Sequence, residues 1–469
     1  MLLECGAVCL SLWLSAAAAP GLAVQASDST PPTALAEAVA LALARNDRVV
    51  AARQELERAR LGSTLARSAF ETKLTPEAFG SFGGTSISNQ SYGLTLSRQF
   101  AFGTEVRASA SAVTARNQLG NFYSSDTTVQ LTQPLLRGAG ASAARRGIGS
   151  ADFRLAEAAR RLRLVEQEVA IEVAAAFHRV AGARQLQAAA AKGVERARTL
   201  LEASQARLQA GRVSRLDVLR AEQLVSQAES QRLDADAAVD DGLDQVRLLT
   251  RSGPEDPIAV PEEMTIDRSP VPVEQATALA LEHRLELQAA AASLDEAEQS
   301  AAFTRRQQLP RFDLNLALTR RETADSLRTS FGLDRFGAAA FVGVAVPIEW
   351  TARRVGLEQA DLEVAQRRRE LDAIRAVVVL DARRAVREHA RAVRRFELDD
   401  QTASMAEKEV ELATLRFQRG LSNNLDVVTA ETNLLAARAR RLATRSDVAL
   451  ARLRVLAATG TLDPGRDVR

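Results

Sequence analysis

Two hydrophobic periods alternate along this chain. Over long stretches apolar residues recur every three or four positions, as on a helix with one buried stripe, and between them the period drops to two, as on strands. The helical pattern covers about 33–70, 144–210, 214–250, 273–307, 352–419 and 423–459. At 1.5 Å per residue, the helices ending at 210 and 419 would be on the order of 100 Å long and those at 214–250 and 423–459 ~55 Å. The segments at 33–70 and 273–307 are also about half-length. Stacked pairs of half-length helices would match the long ones, giving a rod of even length jointed at mid-height.

The pattern is written twice. GRVSRLDVLRAE at 211–222 recurs as GLSNNLDVVTAE at 420–431, a shift of 420 − 211 = 209. Under that shift the heptad column Val218, Val225, Arg232, Val239, Val246 falls on Val427, Leu434, Arg441, Val448, Val455. Three residues on, Ala221, Ala228, Ala235, Gly242, Leu249 falls on Ala430, Ala437, Thr444, Ala451, Ala458. Large knobs beside small residues predict closely packed helix pairs. Gly211 and Gly420 read as turns ending the long helices, with Ser214 and Asn423 as caps of the next and Asp217 and Asp426 three residues later, as in a capping box. The stretch SGPEDPIAVPEEMTIDRSPVP at 252–272 is too proline-rich for helix and reads as a mid-height linker.

Period two appears between each half-length helix and the following long one. RFDLNLALTR at 311–320 alternates Phe312, Leu314, Leu316 and Leu318 with polar residues, and AFVGVAVPIE at 340–349 places Val342, Val344, Val346 and Ile348 on one face. In the first copy strands fall within about 74–136, ending in Thr127, Val129, Leu131, Gln133 before Pro134. Such alternation is the signature of a membrane barrel, or of a small half-buried hairpin. An additional hairpin at about 91–113 is read as an extracellular extension, the alternative being two more membrane strands.

Composition narrows the class. Aromatic residues are only 4% of a chain that is 46% hydrophobic, which suits long helices packed through small side chains better than thick globular cores. With 61 basic and 59 acidic residues, no broad basic face for nucleic acid is implied, and Arg367, Arg368 and Arg369 read as a solvated helix face. The opening MLLECGAVCLSLWLSAAAAPGLAVQA reads as a secretory signal cleaved after Ala26, although Glu4 stands where a basic residue is usual. It holds both cysteines, Cys5 and Cys9, leaving the mature chain none for disulfides or metal. No later apolar run reaches the ~20 residues of a spanning helix, so any crossing would use strands. His178, His283 and His389 lie on separate helical patterns without a second ligand, and no nucleophile elbow or phosphate loop is present. Neither catalysis, a metal nor a cofactor is expected.

The duplicated architecture, LTQPLLRGAG (131–140) and VAVPIEWTARR (344–354) at the strand-to-helix junctions, with Pro134 and Pro347, and the glycine followed by LDV resemble the outer-membrane efflux protein family, also called the TolC family. The resemblance spans about 33–460. It implies a mainly α fold with a β-barrel part: a homotrimer whose protomers each give four strands to a shared twelve-stranded transmembrane barrel, continued into the periplasm by a coiled-coil helical barrel. It implies a passive outer-membrane exit duct for efflux or type I secretion, with a periplasmic adaptor and an inner-membrane pump of RND or ABC type as partners. Gly211 and Gly420 then become turns of the periplasmic tip, and Asp426 matches a ring aspartate and Asp217 a linking one. Ser422 and Thr429 depart from the family's linking arginine and second ring aspartate, so its lock does not transfer unchanged. The domain boundaries that follow are 1–26 signal, 27–250 first repeat, 251–272 linker, 273–460 second repeat and 461–469 tail. A secreted or periplasmic coiled-coil scaffold without a barrel is the alternative.

Overall fold

The computed structural model describes residues 35–82, 88–117, 120–258, 260, 266–324, 335–346, 348 and 350–468. The opening segment read as a signal, with Cys5 and Cys9, and Pro347 lie outside them. In chain order the elements are α1 (Leu35–Arg45), α2 (Asp47–Arg67), β1 (Lys73–Phe82), β2 (Ser88–Gln99), β3 (Glu105–Asn117), β4 (Gly120–Pro134), the short α3 (Ala141–Ala144), α4 (Arg146–Gln209) and α5 (Arg215–Thr250). The second half continues with α6 (Val273–His283), α7 (Leu285–Gln307), β5 (Arg311–Ala324), β6 (Gly337–Ala345), α8 (Trp350–Gln418) and α9 (Asn424–Thr459).

α4 and α8 are the two long helices, 64 and 69 residues, about 100 Å each. α4 packs against α2 and α7 along its first half and against α5 and α9 along its second, and α8 packs on α6, α7 and α9. Four helix columns result: α1–α2 above α5, then α4, then α6–α7 above α9, then α8. The heptad seams are where periodicity puts them. Val218, Val239 and Val246 are buried with Ala221, Ala228 and Ala235, and so are Val427, Leu434, Val448 and Val455 with the entire second small-residue column. Arg232 leaves that stripe, exposed beside Asp236 at 3.6 Å.

Each half-length helix is broken in two, at Asn46 and at Arg284, both with extended backbone. The breaks coincide with the mid-height joints. Asn46 caps α2 through the Arg48 N–H and donates to the Leu249 carbonyl at the end of α5, 3.0 Å. Arg284 donates to the Ala458 carbonyl at the end of α9, 3.1 Å. Side chains of the upper helices thus satisfy carbonyls that the lower helices leave unpaired at their C-termini. Around this level sits the main core, built on Val169, Val173, Phe177, Val180 and Val246 with linker residues Ile258 and Val260. The linker is held as a strap, because Arg184 donates to the Ile258 and Val260 carbonyls at 3.2 and 3.1 Å. The segment after 460 is also part of this core: Leu462 and Val468 are buried in it.

All six strands form one antiparallel sheet in sequence order, β1-β2-β3-β4-β5-β6. This corrects two expectations. Among the described residues the chain has six strands where the resemblance implied four for the barrel, and the 91–113 hairpin belongs to the sheet instead of extending from it. Its turn lies at the helix end: the Thr104 hydroxyl bonds to the Gln133 side chain, and a Cβ on Gly103 would meet the Gly138 carbonyl at 3.0 Å and Pro134 at 3.3 Å.

Candidate functional site

The two glycine turns are superposable in their hydrogen bonding. Gly211 has φ +71° and Gly420 φ +74°, left-handed conformations that cost a glycine little. At the first turn, the Gly211 N–H donates to Leu208 O and the Arg212 N–H to Arg207 O, both at 2.9 Å. At the second, the Gly420 N–H donates to Phe417 O at 3.0 Å and the Leu421 N–H to Arg416 O at 2.9 Å. Each is a Schellman closure that satisfies the last carbonyls of a long helix. The return helices then start on Ser214 and Asn423, whose side chains accept from the Asp217 and Asp426 N–H groups, both at 3.3 Å.

The two aspartates differ in environment. Asp217 completes a capping box, accepting from the Ser214 N–H at 3.0 Å and hydroxyl at 2.7 Å, with Arg220 at 3.7 Å. Those Ser214 bonds, aided by Arg220, hold its carboxyl below the usual carboxylate range. Asp426 is exposed, and among the described residues its carboxylate has no hydrogen-bond or ion-pair partner. One aspartate is therefore occupied with its own helix, and the other is left facing solvent.

Three further residues tie the first copy to the second, two of them at these turns and Arg196 further along the helices. Asn424, 1% exposed, donates to the Asp217 carbonyl at 2.9 Å and to the Ser204 hydroxyl at 3.1 Å. Arg207 lies 4.1 Å over the Phe417 ring and donates to the Gln418 carbonyl at 3.0 Å. Arg196 holds Glu431 through two bonds, 2.6 and 2.9 Å, with Glu431 largely buried. None of these was singled out from sequence. The one available signal was at Asn424, whose counterpart under the 209 shift is Arg215, a departure from the repeat.

At the other end of the helices the sheet separates its faces by register. One row of neighbours crosses all six strands as Leu74, Leu96, Ala108, Val129, Leu318, Ala338. The next row is Thr75, Thr95, Ser109, Thr128, Thr319, Gly337, on the opposite face. The apolar face is largely open: Leu74, Leu94, Leu96, Val129, Leu316, Leu318, Val342 and Val344 are all exposed, while Arg320 and Glu322 further along β5 share this face and Phe79, Val113 and Phe341 are exposed on the other. In β2 the polar residues on the other face are less exposed than Tyr92, Leu94 and Leu96, as on the inside of a curved sheet. Asp126 and Arg321 pair across β4 and β5 on that polar face, 2.8 Å. Pro134 ends β4 opposite Asp313, and the Leu135 N–H then donates to Phe312 O at 2.8 Å before the chain turns into helix.

Among the described residues no helix is long and apolar enough to cross a membrane, and no cluster of three potential metal ligands occurs. His178, His283 and His389 lie on α4, α6 and α8.

Solved structures with a similar fold include outer-membrane channels. The outer-membrane channel OprN aligns with TM-score 0.68 at 16% identity, covering 91% of this chain and 90% of that one. VceC from Vibrio cholerae aligns with TM-score 0.69 at 17% identity, covering 91% and 96%. CusC aligns with TM-score 0.70 at 14% identity, covering 91% and 92%. At such identities these likenesses show the shared fold. No curated protein sequence matches significantly. The family described as outer membrane efflux protein matches residues 38–250 and 277–461, most of the chain and both copies of the repeat, and the chain belongs to that family.

Proposed function

We propose that this protein is a passive outer-membrane exit duct, a homotrimer whose helical part lies in the periplasm and receives substrate from an adaptor and an inner-membrane pump. The observation that carries this reading is the sheet: six strands with one exposed apolar face and one polar face, joined end-on to helix columns about 100 Å long. An open edge is untenable in lipid, where every backbone polar group needs a partner, so one chain's sheet must be completed by others. A water-soluble scaffold would leave that apolar face in water, which speaks against the alternative.

The helix turns at Gly211 and Gly420 form the periplasmic tip in this reading. Asp426, whose carboxylate has no partner among the described residues, faces the mouth, where three copies make a ring of like charge favouring cations. Asp217 is a cap and stays one. The ties Asn424–Asp217, Arg207–Gln418 and Arg196–Glu431 hold the second hairpin against the first, and opening requires that they loosen. The duct makes and breaks no covalent bonds. Its substrate and its pump, RND or ABC type, are set by the partners.

Fractionation tests the reading. A trimer that resists detergent until heated, recovered from outer membranes, is the expected result; an elongated water-soluble protein would sink it.

A further inference from the structure

The geometry points to an eighteen-stranded barrel, six strands from each of three copies, in which the β2–β3 hairpin is a lipid-facing section of wall that widens the exit. This rests on the trimeric duct proposed above and concerns how its wall is closed.

Four observations carry it. First, the rows of side chains continue through the hairpin without interruption. Leu96 and Ala108 lie between Leu74 and Val129 on the apolar face, and Thr95 and Ser109 lie between Thr75 and Thr128 on the polar face. A hairpin outside the membrane would have no reason to keep the face pattern of its neighbours. Second, its turn packs against Gly138 and Pro134 at the strand-to-helix junction, so the hairpin spans the same height as β1 and β4. Phe100 and Phe102 stack in that turn, ring centroids 5.8 Å apart, at the level where barrels carry aromatic girdles.

Third, the edges are complementary. Six strands in up-and-down order leave β1 and β6 running in opposite directions, with 10 and 9 residues. The β1 edge of one copy can therefore pair antiparallel with the β6 edge of the next, and repeating the step closes a ring. Six strands are too few to close alone around even a filled interior, which takes about eight. Fourth, the widths agree. Strands ~4.8 Å apart and tilted by ~40° occupy roughly 6 Å of circumference each, so six cover about 38 Å. Four helix columns 8–10 Å apart cover about the same arc. Eighteen strands give a cylinder ~35 Å across between backbones, so the barrel adds no constriction beyond that of the helical part.

The test uses the full chain in vesicles of lipids with brominated acyl chains, in a Trp13→Phe, Trp350→Phe background that is free of other tryptophans. Leu96→Trp on β2 and Leu318→Trp on β5 should both be quenched several-fold more than Thr95→Trp, and imaging of the assembly in nanodiscs should count six strands per protomer. If Leu318→Trp is quenched but Leu96→Trp is not, and four strands per protomer are seen, the hairpin lies outside the wall and the eighteen-strand barrel is wrong while the duct stands. If neither is quenched, the membrane reading itself fails. Should Leu96→Trp not assemble, Leu94→Trp on the same face replaces it.

Discussion

His178 shows how one buried side chain makes stability depend on pH. It lies in the packed part of α4, where burial, with the Arg445 charge adding to it, pushes its imidazole down to about 4. The unfolded chain would take up the proton near pH 6.5, so between that value and about 4 the unfolded state binds more protons than the folded one. Stability is therefore full above ~6.5 and falls as pH drops toward 4, by on the order of 3 kcal/mol in total. His178→Gln should flatten this dependence. Unfolding midpoints at pH 7 and pH 5 measure it, and an unchanged difference between wild type and variant would remove His178 as its source. Asp217 acts lower on the scale. Its depressed carboxyl supports α5 above the ordinary carboxylate range and loses that role only as pH falls through its own lowered value.

At the scale of elements, the spacing between paired helices is set by small residues. Gly242 on α5 faces Val180 on α4, and a Cβ there would come within 2.8 Å of a Val180 methyl that a β-branched side chain cannot swing away. Gly242→Leu should force the pair apart and cost roughly 1–3 kcal/mol. Adding Val180→Ala should recover part of the loss, because the two residues share one contact. Thermal unfolding of the single and double variants decides it: equal loss in both would mean that the glycine matters for another reason. The half-length helices carry the complementary lesson. Their periodicity ran unbroken through Asn46 and Arg284, yet both positions are breaks, because each side chain is needed by a carbonyl of another helix. That demand comes from a residue some 200 or 170 positions away, and no local pattern contains it.

On the scale of the whole molecule, the proposed tip is governed by contacts between the two copies. Arg196→Ala should leave the Glu431 carboxylate largely buried without its partner, loosen the α4–α9 contact and raise single-channel conductance or open probability. Arg198→Ala is the control, since its exposed pair with Glu229 joins helices of one copy and should matter little. Equal effects from both would dismiss the idea of a between-copy clasp. Asp426→Ala should raise conductance or abolish block by divalent cations through loss of the charge ring; unchanged conductance and block would leave Asp426 as a helix-start residue only. Asp217→Ala is expected to act chiefly on stability, by about 1 kcal/mol, because that aspartate is engaged in capping.

Read from sequence alone, the repeat, the long helices, both glycine turns with their caps and the apolar strand faces were all legible, since each is written in local spacing or in self-similarity at 209 residues. Pro134 marked a junction for the same reason: a residue without an N–H ends a ladder wherever it falls. The tertiary structure alone decided that β2 and β3 join the sheet, that the tail after 460 enters the core, that Arg207 and Asn424 tie the turns together, and that Arg196 joins α4 to α9 further along the helices. Strand count depends on which edges pair, and a tie depends on distance between residues far apart in the chain; period and capping chemistry carry neither. The two aspartates are separated by local sequence. Their sequence contexts are similar, but the partners that fold Asp217 back on its own helix, Ser214 and Arg220, are Asn423 and Thr429 in the second copy, and Asp426 is left exposed.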